Sequence, residues 1–199
     1  MLAVRRNFPG LLDECAGLFW TDDNSNYAGV FLAAPLRGRV FFLDHDEPDD
    51  APRFRSIESF CRSTLAAAEK DWSDMVTDYP RLTDPADIDG DEDRAVAIAY
   101  LRDLPAACSA DAYAVFAYCA LNLLPPRDFA LALPLFDSTD MWGQERACKM
   151  IGLWRRAEAV PDLLRVARTG MSNGRVEAVR ALQRIQTAEA KKAVKMLQT

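Results

Sequence analysis

His45 is the sole histidine of this 199-residue chain, set in Leu43-Asp44-His45-Asp46-Glu47-Pro48-Asp49-Asp50. An imidazole among carboxylates is the raw material of a general base. Catalysis also needs a nucleophile or a second ligand at the same point, and neighbouring residues of an extended chain point to opposite faces. The sequence offers no such companion. The segment therefore reads as an acidic loop that meets a partner through Asp44, His45, Asp46, Glu47, Asp49 and Asp50, and no catalytic residue is assigned.

A second acidic run, Asp84-Pro85-Ala86-Asp87-Ile88-Asp89-Gly90-Asp91-Glu92-Asp93, imitates the spacing of a calcium loop around Gly90. With Gly90 at the glycine position, Pro85 falls where the first ligand belongs and Val96 where a bidentate glutamate is needed. Asp91, Glu92 and Asp93 suit the positive N-terminal end of a following helix better. The chain lacks a phosphate loop, a dinucleotide glycine pattern and zinc spacing, so no metal or cofactor is expected.

Charge is unevenly divided. The net charge is −6, but residues 1–144 carry 25 acidic against 12 basic side chains, and residues 145–199 carry 5 against 12. An acidic front favours a cationic partner and a basic end an anionic one. Arg165, Arg168, Lys191, Lys192 and Lys195 are the candidates for a basic face able to hold nucleic-acid phosphates, as an alternative to protein binding.

The elements that must position these groups follow from local pattern. Ala28–Ala33 and Arg39–Asp44 are β-rich runs joined by Ala34-Pro35-Leu36-Arg37-Gly38, a link suited to a hairpin. Both runs are apolar on both faces, so something must cover each side, and the helices that follow are the nearest candidate. Before them, Pro9–Gly17 reads as a short helix and Leu18-Phe19-Trp20 as the start of a strand. Ser56 is a good N-cap, and Ile57, Phe60, Cys61, Thr64, Leu65 and Ala68 recur at helical spacing as a stripe for packing on the sheet. Five cysteines, without CxxC spacing and among apolar neighbours, read as buried free thiols.

The acidic, proline-punctuated stretch around residue 72 divides an α+β part (1–72) from a helical part (73–199). Helices are expected at Asp91–Leu104, Ala110–Leu124, Arg127–Phe136, Thr139–Arg156, Pro161–Thr169, Asn173–Ile185 and Ala188–Leu197. At an offset of 31, Ala147, Ile151 and Trp154 match Ala178, Leu182 and Ile185; at 30, Ala117 and Leu121 match Ala147 and Ile151. A helix pair per 30 residues is the unit of an α-solenoid and resembles short HEAT-type repeats. Helices Pro161–Thr169 and Ala188–Leu197 would then line its concave face. The expected fold class is α+β: a small antiparallel sheet with a packing helix, then HEAT-like helices.

The front also resembles a SMI1/KNR4 (SUKH) domain, shortened at its N-terminus. Gly38-Arg39-Val40-Phe41-Phe42-Leu43-Asp44-His45-Asp46-Glu47-Pro48 matches that family's strand-to-loop segment, and Phe54-Arg55-Ser56-Ile57-Glu58-Ser59-Phe60 its following helix. The resemblance implies an α+β fold, a protein-binding rather than catalytic role, and, for many bacterial members, an immunity protein that neutralises a toxin by direct binding. The reduced thiols, the lack of an apolar leader at the N-terminus and the lack of a long apolar run lead us to expect a cytoplasmic protein with no membrane segment.

Overall fold

The computed structural model describes residues 16–22, 26–43, 51–67, 75–104 and 110–198. They form an α+β fold. Strands β1 (Ala16–Thr21), β2 (Tyr27–Phe31), β3 (Val40–Leu43) and β4 (Pro52–Phe54) make an antiparallel sheet in the order β1-β2-β3-β4. The expected hairpin is β2–β3, in the register Tyr27 to Leu43 and Val30 to Val40.

Two strands flank it. Ala16 and Gly17 lie in β1, not in a helix, and Phe19 forms a bulge there, because Leu18 pairs with Gly29 and Trp20 already with Ala28. The rest of the expected first helix lies outside the described residues. Pro52–Phe54, unremarkable in the sequence, pairs with β3 at the sheet edge, where proline is tolerated. Its outer carbonyls are not wasted: Arg53 O accepts from Asp78 N (3.0 Å) and Tyr79 N (3.1 Å), and Pro52 O from Asn122 Nδ2 (3.0 Å).

The hairpin link ends at Gly38, whose φ of +84° a side chain would oppose. Arg39 N closes the turn on Leu36 O at 3.0 Å. Leu36 itself is buried in the core of the helical part, so the hairpin tip is anchored away from its own sheet.

Helix α1 (Ile57–Ala66) starts at Ser56, whose Oγ accepts from Ser59 N at 3.1 Å. On one face of the sheet Phe60 joins Ala28, Val40 and Phe54, with rings of Phe19, Trp20 and Phe54 set edge-on to it at 5.3–5.7 Å. The expected packing stripe does not pack as a whole. Ile57 is 43% and Leu65 77% exposed, and Cys61 is exposed as well. The reason is angular. Phe60 turns towards the sheet, while Ile57, Cys61 and Leu65, at i, i+4 and i+8, drift round the helix beyond its reach, and Ala68 lies outside the described residues. On the other face Ala16, Phe41 and Leu43 cluster with Leu18, Tyr27 and Phe31, and Phe31 also packs on the helical core.

The helical part contains α2 (Glu92–Asp103), α3 (Ala110–Leu123), α4 (Met141–Leu153), α5 (Val160–Thr169), α6 (Ser172–Ile185) and α7 (Ala188–Leu197). Between α3 and α4 the expected α-helix at Arg127–Phe136 is instead a 3₁₀ segment, Pro126–Asp137. Pro134 lies inside it and Asp128 leaves helical geometry (φ −92°, ψ 16°), which bars regular i to i+4 bonding. Helix α4, expected from Thr139 to Arg156, starts after the Asp140 cap and stops at Leu153.

Helices α4 and α6 run side by side in parallel. Gln144 lies against Gly174 and Gly152 against Ala181, 30 and 29 positions apart, close to the 31-residue sequence repeat. Helix α5 packs on α6 and α7. Two regular helix pairs result, with Leu121, Met150, Ile151, Leu163 and Leu182 in their shared core. The 3₁₀ segment interrupts the preceding unit, and a solenoid takes three or more repeats.

Candidate functional site

The sheet and the helices meet at a cleft of about 510 Å³. Its floor holds Arg39, Arg81, Asp91 and Asp93, and its rim holds Arg37, Arg55, Asp87 and Glu92. Three segments bring them together. Arg39 leads into β3, Arg81 follows the Tyr79-Pro80 step, and Asp91 and Asp93 open α2. Asp91 is the N-cap of α2, its carboxylate accepting from Asp93 N (3.1 Å) and Arg94 N (3.4 Å).

Asp93 is the hub. Its Oδ1 accepts from Arg39 Nε at 2.7 Å and from Arg39 Nη2, and its Oδ2 from Tyr79 Oη at 2.5 Å and Arg81 Nη2 at 3.2 Å. Arg81 also grips Asp91 through both Nη1 and Nη2. The backbone of Arg81 is held at both ends too. Its N–H donates to Asn122 O at 3.1 Å, and its carbonyl accepts from Trp154 Nε1 at 2.6 Å.

Burial shifts these groups in opposite directions. Burial alone would lower the Arg39 and Arg81 values, yet their bonds to Asp93 and Asp91 hold both above the usual arginine range. Burial would raise Asp91, but the Arg81 guanidinium and two backbone N–H groups hold it below the ordinary aspartate value. The Tyr79 phenol is pushed well up, by burial first and by its bond to Asp93 second. Two cations, two anions and a neutral phenol thus satisfy one another. The arrangement locks three segments and leaves the exposed rim charges to meet solvent.

Of the rim acids, Asp87 lies on the loop before α2 and Glu92 opens the helix; Asp84 and Asp89 lie on the same loop, and all four are exposed. Asp87 Oδ1 accepts from Asp89 N (3.2 Å) and Gly90 N (3.1 Å), fixing the loop's shape. Asp84 Oδ1 accepts from Arg127 N at 2.8 Å. Among the described residues no group of three or more His, Cys, Asp or Glu side chains stands together to hold a metal ion, and no helix is long and apolar enough to cross a membrane.

The acidic loop Asp44, His45, Asp46, Glu47, Asp49 and Asp50 lies outside the described residues. Of the basic candidates, Arg165 is engaged by Asp137, with Nη1 to Oδ1 at 2.5 Å and Asp162 3.9 Å away. Arg168 on α5 and Lys191, Lys192 and Lys195 on α7 are exposed and make no ion pair among the described residues. Cys119 and Cys148 are buried free thiols, but Cys61 is exposed, correcting the expectation of burial; Cys15 and Cys108 lie outside the described residues.

Arg39, Tyr79, Arg81, Asp91 and Asp93 were not legible as one site. Asp91 and Asp93 carry a local signal as helix-opening acids. Arg39 carries none, because its partner lies 54 positions on. No protein-family model matches the chain, and neither a curated protein nor a solved structure matches it.

Proposed function

We propose that the chain is a protein-binding module that recognises a cationic partner, and specifically a bacterial cytoplasmic immunity protein that neutralises a basic toxin domain by direct binding. It is not an enzyme on this reading. The observation that carries it is the division of labour at the cleft. The buried ionisable groups are consumed by one another, while Asp84, Asp87 and Asp89 stand exposed on a loop that hydrogen bonds hold in shape, and Glu92 beside them in the first turn of α2. A preorganised acidic segment, set across the rim from the exposed Arg37 and Arg55, accelerates encounter with an opposite charge and loses little entropy on binding. The SMI1/KNR4-like segments around the hairpin and α1 support the same class.

Affinity capture from a bacterial lysate with the immobilised full chain tests it. The expected result is a basic protein retained at physiological salt, whose association rate falls at least tenfold when Asp87, Asp89 and Glu92 are all changed to lysine. Recovery of no protein at that salt, or of one indifferent to those changes, rejects the reading.

A second reading rests on Arg168, Lys191, Lys192 and Lys195, exposed and without an ion-pair partner among the described residues. Four such cations suit nucleic-acid phosphates. It predicts binding whose logarithm falls linearly with the logarithm of salt concentration. Absence of binding to duplex or single-stranded DNA at low salt removes it.

A further inference from the structure

Helix α1 carries an apolar stripe that nothing in the described fold uses. Ile57, Cys61 and Leu65 are exposed at successive i+4 positions. The opposite flank of the helix is occupied: Ser59 Oγ donates to Asp78 Oδ2 at 2.5 Å and Ser63 Oγ to Val76 O at 2.5 Å. Phe19, 40% exposed and edge-on to Phe60, is a further exposed apolar side chain, on the bulge of β1. Large apolar side chains grouped in this way mark an interaction surface.

The spacing and the charges beside the stripe identify what fits it. Ile57-x3-Cys61-x3-Leu65 is symmetric about its centre in the sense an antiparallel helix requires. If two copies of α1 meet about a two-fold axis at Cys61, each Ile57 falls opposite the other copy's Leu65. Glu58 and Arg62 border the stripe and are fully out in solvent, 80% and 74% exposed, bonded to each other within the helix at 2.6 Å. In the antiparallel pair these flanks become neighbours, and a rise of about 1.5 Å per residue sets Glu58 only about 3 Å along the axis from the partner copy's Arg62. Two such contacts form, one on each side of the axis. In a parallel two-fold pair the two Glu58–Arg62 flanks would fall on opposite sides of the interface and make no such contact.

We propose that the α1 stripe is a self-association surface, through which two copies of this chain form a reversible antiparallel dimer centred on Cys61. A ten-residue helix buries less than the roughly 1,200 Å² of a standard stable interface, so the dimer dissociates on dilution. Helices packed at about 8–10 Å bring facing Cα atoms within about 4–5 Å, inside the reach of a disulfide. Cys61 therefore reports on the geometry without being needed for the association.

The test uses the full chain. Under reducing conditions, sedimentation equilibrium across a concentration series is expected to show a reversible monomer–dimer equilibrium. Leu65→Asp is expected to weaken it at least tenfold. Glu58→Arg is expected to weaken it as well, and adding Arg62→Glu to restore it, since the double reversal recreates the pairs across the axis. Mild oxidation is expected to give a covalent dimer that Cys61→Ser abolishes and Leu65→Asp suppresses. Thermal melts of the dilute monomers serve as the folding control; should Leu65→Asp melt early, the charge-reversal series, which leaves the stripe intact, decides alone. A chain that stays monomeric at all concentrations and gives no Cys61 disulfide overturns the proposal, and so does a dimer unaffected by both the Leu65 and the charge-reversal changes.

Discussion

Arg39 donates from Nε to Oδ1 of Asp93 at 2.7 Å, joining the residue just before β3 to the first turn of α2 across 54 positions of chain. Both side chains are nearly buried, 11% and 8% exposed, so the pair is shielded from the screening that makes surface ion pairs weak. Removing one partner of such a pair costs about 3–5 kcal/mol, because the other charge stays behind without compensation. Asp93→Ala strands Arg39, one Arg81 donor and the Tyr79 hydroxyl together, whereas Arg39→Ala leaves Asp93 with two of its partners. Urea unfolding is expected to place Asp93→Ala as the more destabilised of the two.

The neighbouring carboxylate makes stability depend on acid. Asp91 sits below its ordinary value of 3.8 because Arg81 and the α2 N–H groups outweigh its desolvation. A depressed folded value means that its stabilising contribution is complete above the ordinary value and is lost as pH falls through the folded one. Stability followed by thermal melts from pH 7 down to about 2 is expected to drop below about pH 4. Asp91→Asn is expected to be less stable at neutral pH and to lose part of that acid dependence.

Helices α4 and α6 come close, backbone against backbone, at Gly152. A Cβ there would lie 2.7 Å from Ala181 Cα, which is backbone and has no room to yield. In an open helix, Gly→Ala would gain up to about 1 kcal/mol of propensity. Forcing helices apart in a packed core costs about 1–3 kcal/mol, so Gly152→Ala is expected to be net destabilising. A lower melting temperature for Gly152→Ala checks this; an unchanged or raised one rejects it.

Thiol reactivity is expected to separate the described cysteines sharply. The Cys148 thiol is pushed up to about 12, by burial first and then by the nearby Glu177 and Glu145 carboxylates. Almost none of it is thiolate at neutral pH, and Cys119 is enclosed as well. Iodoacetamide labelling of the native chain followed by peptide mass spectrometry is expected to modify Cys61 quickly and to leave Cys119 and Cys148 intact until denaturant is added.

What local order alone could specify, the sequence specified. The β2–β3 runs, the Ser56 cap, the acids opening α2 and the span of α7 all depend on residues within a few positions of one another. The 31-residue echo of Ala147 and Ile151 in Ala178 and Leu182 likewise anticipated that α4 and α6 lie side by side, since matching small-residue faces stack on one another. The choices left to tertiary structure were those between distant groups. Arg39 finds Asp93 only because Leu36 anchors the hairpin in the helical core, and Pro52–Phe54 is a strand only because β3, Asp78 and Asn122 supply its hydrogen bonds. Periodicity marked Ile57, Cys61 and Leu65 as apolar, but whether that stripe meets a sheet or solvent depends on how far round the helix the sheet extends, and here it stops at Phe60.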